Sequence, residues 1–297
     1  MTNEDMRARI REGNGFIAAL DQSGGSTPKA LKGYGVEEDV YSGDDEMFAL
    51  IHQMRTRIIT SPSFSSGKVI GAILFEKTMD GEVEGKPTPK ALIDRGIVPF
   101  IKIDKGLEDE ADGVQLMKPN PGLGILLDRA RGLGVFGTKE RSVINAANPA
   151  GIGAAVAQQF EVAEEVLAKG LVPIIEPEVN IKSADRAQSD AILRDALLKA
   201  LDGVSGEVML KLSLPVEEGF FQPLIDHPKV LKVVALSGGF SRAEANGALA
   251  RNPGMIASFS RALLSDLRHQ QSDSEFDATL GTAIDEIHAA SVATADA

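Results

Sequence analysis

Eight short, nearly unbroken apolar runs recur along the chain, and each ends in polar or glycine-rich residues. They cover Phe16–Asp21, Val69–Phe75, Val98–Asp104, Val135–Arg141, Leu171–Glu178, Val208–Leu214, Val230–Leu236 and Met255–Phe259. Continuous rather than alternating hydrophobicity predicts strands of a parallel sheet, covered on both faces. Segments with helical spacing lie between them. Met47, Ile51, Met54 and Ile58 mark one, and Ile192, Ala196, Leu197 and Leu201 mark another. Asn148 suits the cap of a helix running to Lys169, with Pro149 in its first position and Gly170 as its stop. Ser272 and Glu275 have capping-box spacing ahead of the stripe Phe276, Leu280, Ala283, Ile284 and Ile287. Eight strands alternating with helices in 297 residues predict a closed (β/α)8 barrel of the TIM type, one domain over residues 1–297. An open doubly wound sheet is the competing architecture. However, no Gly-x-Gly-x-x-Gly follows the first run, and no Gly-x-x-x-x-Gly-Lys-Ser/Thr occurs. The small and polar stretch Ser291–Ala297 is expected to fray.

Charge and composition narrow the function. The net charge of −12 makes the chain a poor general binder of nucleic acid or anionic lipid. An anionic ligand then requires positive charge gathered locally. No apolar run reaches the ~18 residues of a membrane span. The polar start Met1-Thr2-Asn3-Glu4-Asp5 opens no signal peptide, and cysteine is absent. The default expectation is a cytoplasmic protein without disulfides, thiolate metal sites or a thiol nucleophile. His52, His227, His269 and His288 are scattered without ligand spacing, so no metal and no other cofactor is expected.

In a barrel, catalysis collects at the carboxyl ends of the strands. The charged residues of this chain fall there. Lys211 interrupts the apolar run Val208-Met209-Leu210-Lys211-Leu212. Burial disfavours an ammonium charge, and a lysine that loses its proton is an amine nucleophile able to form a Schiff base. A snorkelling or edge-strand lysine would leave the same signature. Lys139 and Arg141 share a face of the fourth strand and bring further positive charge, while Glu176 on the fifth is a candidate proton shuttle. Glu178 reads equally as a salt-bridge partner. Ser237-Gly238-Gly239 lets backbone N–H groups approach an oxyanion, and Arg261 can grip a phosphate in fork geometry. Lys102 with Ser23 and Ser26 is a candidate second anion site, although Lys102 and Asp104 also fit a local ion pair. Asp21, taken alone, reads first as the cap of a turn.

These motifs in this order give a family resemblance. The chain resembles the class I, Schiff-base fructose-1,6-bisphosphate aldolases, in particular their short bacterial branch. The resemblance is carried by Phe16-Ile17-Ala18-Ala19-Leu20-Asp21, Lys102-Ile103-Asp104-Lys105-Gly106, Leu171-Val172-Pro173-Ile174-Ile175-Glu176-Pro177-Glu178, Val208-Met209-Leu210-Lys211, Leu236-Ser237-Gly238-Gly239 and Ser258-Phe259-Ser260-Arg261. It implies a metal-independent barrel enzyme acting on phosphorylated sugars. In it, Lys211 forms the imine with the C2 ketone, Glu176 is the main acid and base, and Asp21 orients the C4 hydroxyl. Lys139 supports the polar intermediates. Ser237, Gly238, Gly239 and Arg261 take the C1 phosphate, and Lys102, Ser23 and Ser26 the C6 phosphate. Arg141 and Glu178 match the second cation and second carboxylate of strands four and five.

Four positions depart from the longer animal-type pattern. Gln22 stands for Glu, Glu140 for Trp, and Ser260 for Gly. The C-terminal tyrosine of that type has no counterpart, since Tyr34 and Tyr41 are the only tyrosines. The resemblance therefore names no group for enamine protonation, and it leaves homo-oligomer formation open. The alternatives are a Schiff-base barrel of other specificity, which the doubled anion site disfavours, and a non-catalytic barrel, which the intact nucleophile and acid disfavour.

Overall fold

All eight apolar runs become strands of one sheet. A computed structural model describes residues 1–293. The barrel strands are β1 (Phe16–Leu20), β2 (Val69–Leu74), β3 (Val98–Lys102), β4 (Gly137–Ile144), β5 (Val172–Val179), β6 (Val208–Ser213), β7 (Val230–Leu236) and β8 (Met255–Ala257). They pair in chain order, each parallel to the next. The Ala19 N–H donates to the Phe259 carbonyl at 3.2 Å, which joins β1 to the end of β8. The sheet is therefore a nearly closed eight-stranded α/β barrel of the TIM type.

The helices are α1 (Asn3–Glu12), α2 (Ser26–Gly33), α3 (Gly43–Thr60), α4 (Glu76–Met79), α5 (Thr88–Asp94), α6 (Leu123–Gly132), α7 (Pro149–Ala168), α8 (Arg186–Gly203), α9 (Gln222–Ile225), α10 (Arg242–Ala250), α11 (Arg261–Leu264) and α12 (Asp273–Ser291). The caps read from the sequence hold. The Asn148 side chain accepts from the Ala150 and Gly151 N–H groups, and Ser272 with Glu275 closes a full capping box. Gly170 takes φ +75°, a conformation that glycine adopts without a steric cost. The acidic stretch Asp44-Asp45-Glu46 is the first turn of α3, where carboxylates complement the helix dipole.

Two cores follow from strand alternation. Outward side chains pack on the helices in a large outer core. Inward ones, among them Ile17, Val98, Phe100, Val172, Ile174, Met209, Val234 and Ile256, fill the lower barrel. Met6 and Ile10 of α1 join this inner core and close the barrel floor. The acidic opening of the chain supplies a second capping box, Thr2 with Asp5, which starts α1. At the other end, Ser291 does not fray. It is helical and buried, and its Oγ accepts from the Ala257 N–H at 3.0 Å and donates to Ile287 O at 2.8 Å. Residues 294–297 of the expected frayed stretch lie outside the described residues. No helix among the described residues is long and apolar enough to cross a membrane.

Candidate active site

With apolar layers filling the floor, the next inward positions upward on β4, β5 and β6 are charged. Their register puts Lys139 beside Ile174 and Arg141 beside Glu176. Asp21 directly follows β1. Together these positions produce one chain of alternating charge across the mouth. The Asp21 carboxylate lies 2.7 Å from Lys139 Nζ. Lys139 Nζ lies 3.1 Å from Glu176 Oε2. Glu176 Oε1 lies 3.2 Å from Lys211 Nζ. All four residues are buried, and Lys211 and Glu176 are each 4 % exposed.

Burial opposes the ionisation of Asp21, but the charges of Lys139, Lys211 and Lys102 outweigh it and hold its carboxyl far below the usual carboxylate range. Burial likewise opposes the Lys139 charge. Asp21, Glu176 and Asp104 overcome that and raise it well above an ordinary lysine. Lys139 is thus a fixed cation, compensated by two carboxylates. Glu176 Oε2 is buried and has no hydrogen-bond donor aligned on it, despite the nearby ammonium. The arrangement can pass a proton between a carboxylate and whatever is attached to Lys211 Nζ, because 3.2 Å is within proton-transfer reach.

The other inward-facing charges of β4 and β5, and Lys102 at the end of β3, are already paired. Arg141 Nη1 donates to Glu178 Oε2 at 3.0 Å, so Arg141 does not stand as a free cation beside Lys211. Lys102 Nζ donates to Asp104 Oδ1 at 2.7 Å and to the Asp104 carbonyl at 3.1 Å. This ion pair is mostly buried, with side chains 13 % and 3 % exposed, and it is no surface loop contact. Ser23 and Ser26 meet each other, the Ser23 N–H donating to Ser26 Oγ at 2.9 Å at the start of α2. Ser26 is exposed and Ser23 is half-buried, and no hydrogen bond joins them to Lys102 among the described residues.

The loop after β7 turns on two glycines in left-handed conformations. Gly238 and Gly239 take φ +59° and +115°, which side chains rarely adopt. A Cβ on Gly238 would meet Ile181 at 2.8 Å. A Cβ on Gly239 would sit 3.6 Å from Arg261 Nη2, so the guanidinium lies beside this loop. Arg261 is exposed and makes no hydrogen bond or ion pair with the described residues.

A family model described as fructose-bisphosphate aldolase class-I matches residues 3–202, about two thirds of the chain. The chain belongs to that family. It is accordingly an enzyme, a carbon–carbon lyase of the aldolase type. The matched span contains Asp21, Lys102, Lys139 and Glu176 and ends ahead of Lys211, the double glycine and Arg261. Solved structures give the same fold over the whole length. A fructose-bisphosphate aldolase from Plasmodium falciparum, solved with TRAP and a small-molecule inhibitor, shares 20 % identity at a TM-score of 0.78 and covers 97 % of this chain and 94 % of its own. An archaeal fructose-1,6-bisphosphate aldolase, whose catalytic lysine carries the carbinolamine intermediate of its substrate, shares 11 % identity at 0.54 and covers 97 % and 100 %.

One buried charge near the mouth lies outside the motifs named above. Arg55 of α3 is fully buried and donates to Thr78 and Gln22. Its sequence signal is its place on the apolar stripe of α3, four residues after Ile51 and three before Ile58.

Proposed function

We propose that this aldolase reversibly cleaves D-fructose 1,6-bisphosphate to dihydroxyacetone phosphate and glyceraldehyde 3-phosphate through a Schiff base on Lys211. The whole chain is read as one catalytic unit. The observation that carries the reading is the buried Lys211 Nζ, 3.2 Å from a carboxylate oxygen of buried Glu176.

The chemistry runs on that pair. The Lys211 amine attacks the C2 carbonyl, and Glu176 supplies the proton that lets the carbinolamine oxygen leave as water, giving a protonated imine. The C4 hydroxyl, oriented by the ionised Asp21 carboxylate, gives its proton to the Glu176 carboxylate freed in the preceding step as the C3–C4 bond breaks. The electron pair of that bond moves into the imine to give a neutral enamine, and glyceraldehyde 3-phosphate departs. Proton return to C3 and hydrolysis of the imine release dihydroxyacetone phosphate and restore the amine. Lys139, a permanent cation between Asp21 and Glu176, stabilises the negative charge that develops on oxygen.

Binding follows from the flanking groups. Ser237, Gly238, Gly239 and Arg261 hold the C1 phosphate, and Lys102, Ser23 and Ser26 the C6 phosphate. Arg141 and Glu178 set the wall between them. Two remote anchors supply binding energy and orientation at the reacting carbons. Borohydride reduction in the presence of dihydroxyacetone phosphate, followed by peptide mapping, tests the reading. The expected result is one sugar adduct, on Lys211. An adduct elsewhere, or none, overturns it.

A further inference from the structure

Arg55 has an unusual environment for a fully buried guanidinium. Among the described residues no carboxylate lies within ion-pair distance of it, and its Nε has no partner. Neutral acceptors hold it instead. Nη1 donates to Thr78 Oγ1 at 2.7 Å, and Nη2 donates to the Gln22 carbonyl at 2.6 Å and to Gln22 Oε1 at 3.1 Å. Burial pulls its pKa down to about 10 against the favourable charge of Asp21. A buried cation is expensive to leave without a carboxylate, so a purely structural guanidinium here would be poorly placed.

Its contacts lead to the mouth. Because Gln22 Oε1 accepts from Arg55, the orientation of the Gln22 amide is fixed. Its Nε2 then donates to the Ala19 carbonyl at 3.2 Å and to Ser260 Oγ at 2.5 Å. Gln22 lies between Asp21 and Ser23, and Ser260 immediately precedes Arg261. A rigid planar fork on α3 thereby ties the loop after β1 to α4 and, through one amide, to the residue before Arg261.

We propose that Arg55 and Gln22 are a positioning pair that fixes the spacing between the two phosphate anchors, and so selects doubly over singly phosphorylated ketoses. The proposal rests on the functional reading above. A substrate with two phosphates must meet Arg261 and the Ser23–Ser26 turn at once. Drift between these two costs it the orientation that both anchors provide. A substrate with the C1 phosphate alone meets only one anchor and does not feel the drift.

The test compares kcat/KM for fructose 1,6-bisphosphate and fructose 1-phosphate. Gln22→Leu removes the amide bonds at similar volume, Ser260→Ala removes only the far acceptor, and Gln22→Glu still accepts from Arg55 and from the Ser260 hydroxyl. Gln22→Leu and Ser260→Ala are expected to lower the bisphosphate-to-monophosphate ratio roughly tenfold, mainly by losing bisphosphate turnover, while Gln22→Glu restores it. Equal losses on both substrates, or a ratio unchanged in Ser260→Ala, overturn the proposal. Ser260→Ala keeps the test decisive should Gln22→Leu not fold, which circular dichroism reports. Failure of the wild type to form the Lys211 adduct is a separate result, read before any variant, and it sinks the functional reading with all that rests on it.

Discussion

Replacing Glu140 with methionine should stabilise this protein. Glu140 lies on β4 between Lys139 and Arg141, fully buried, and neither carboxyl oxygen has a hydrogen-bond donor among the described residues. Burial, reinforced by the charges of Asp104 and Glu165 and opposed by Lys139, raises its pKa well above the ordinary value of 4.5. The folded protein therefore holds a proton on Glu140 that the unfolded chain releases above that value. Unfolding is favoured by the release, so wild-type stability declines as pH rises from about 4.5 toward the folded pKa. A buried polar group without a partner costs about 1–3 kcal/mol. Methionine has similar length and no polar group to satisfy, so Glu140→Met should gain about 2 kcal/mol near neutral pH. With an unfolding entropy of about 2 cal/mol/K per residue, that is a rise in Tm of about 3 °C for a chain of this length. Glu140→Gln retains the polar burden but cannot ionise, so it should remove only the pH-dependent part. Calorimetric melts of the three proteins at pH 4.5 and 7.5 measure both effects. A Tm for Glu140→Met at or below wild type, with no dependence on pH, would refute the reasoning.

Glu176→Gln should lower kcat by about 10²–10⁴ while leaving the affinity for inorganic phosphate intact; a change confined to KM contradicts the acid and base role. Prolonged dialysis against a chelator should leave cleavage of fructose 1,6-bisphosphate unaltered, because the protonated imine is the electron sink; activity that disappears and returns with a divalent ion would overturn the Schiff-base reading.

Much of the fold was legible because the barrel strands are covered on both faces. That coverage makes them continuous apolar words bounded by glycine and charge, and Val69–Leu74 or Val208–Ser213 can hardly be read otherwise. The polar strand was harder. β4 runs Gly137–Ile144, three residues past the expected end at Arg141, because Thr138, Glu140 and Ser142 make its helix-facing side polar as well. α1 was missed, since its charged face dominates the N-terminal residues and only Met6 and Ile10 are buried. In the site, the types and strand positions of Asp21, Lys139, Glu176 and Lys211 were readable, but their pairing was not. Alternation tells which residues face inward, whereas side-chain reach decides which carboxylate meets which ammonium. Hence Arg141 was expected to lend its charge to Lys211 and instead meets Glu178. Lys102, by contrast, makes the local ion pair with Asp104 that their two-residue spacing allowed.

The bond from the Ala257 N–H to Ser291 Oγ has a consequence for biosynthesis. Translation runs from β1 to β8, and the helix that finishes β8 follows all eight barrel strands. Until then the first strand waits with one edge bare, and a growing parallel sheet with an open flank is a template for stray pairing. A nascent chain stalled before the last turn of α12 is an unfinished ring, open to association through that bare edge.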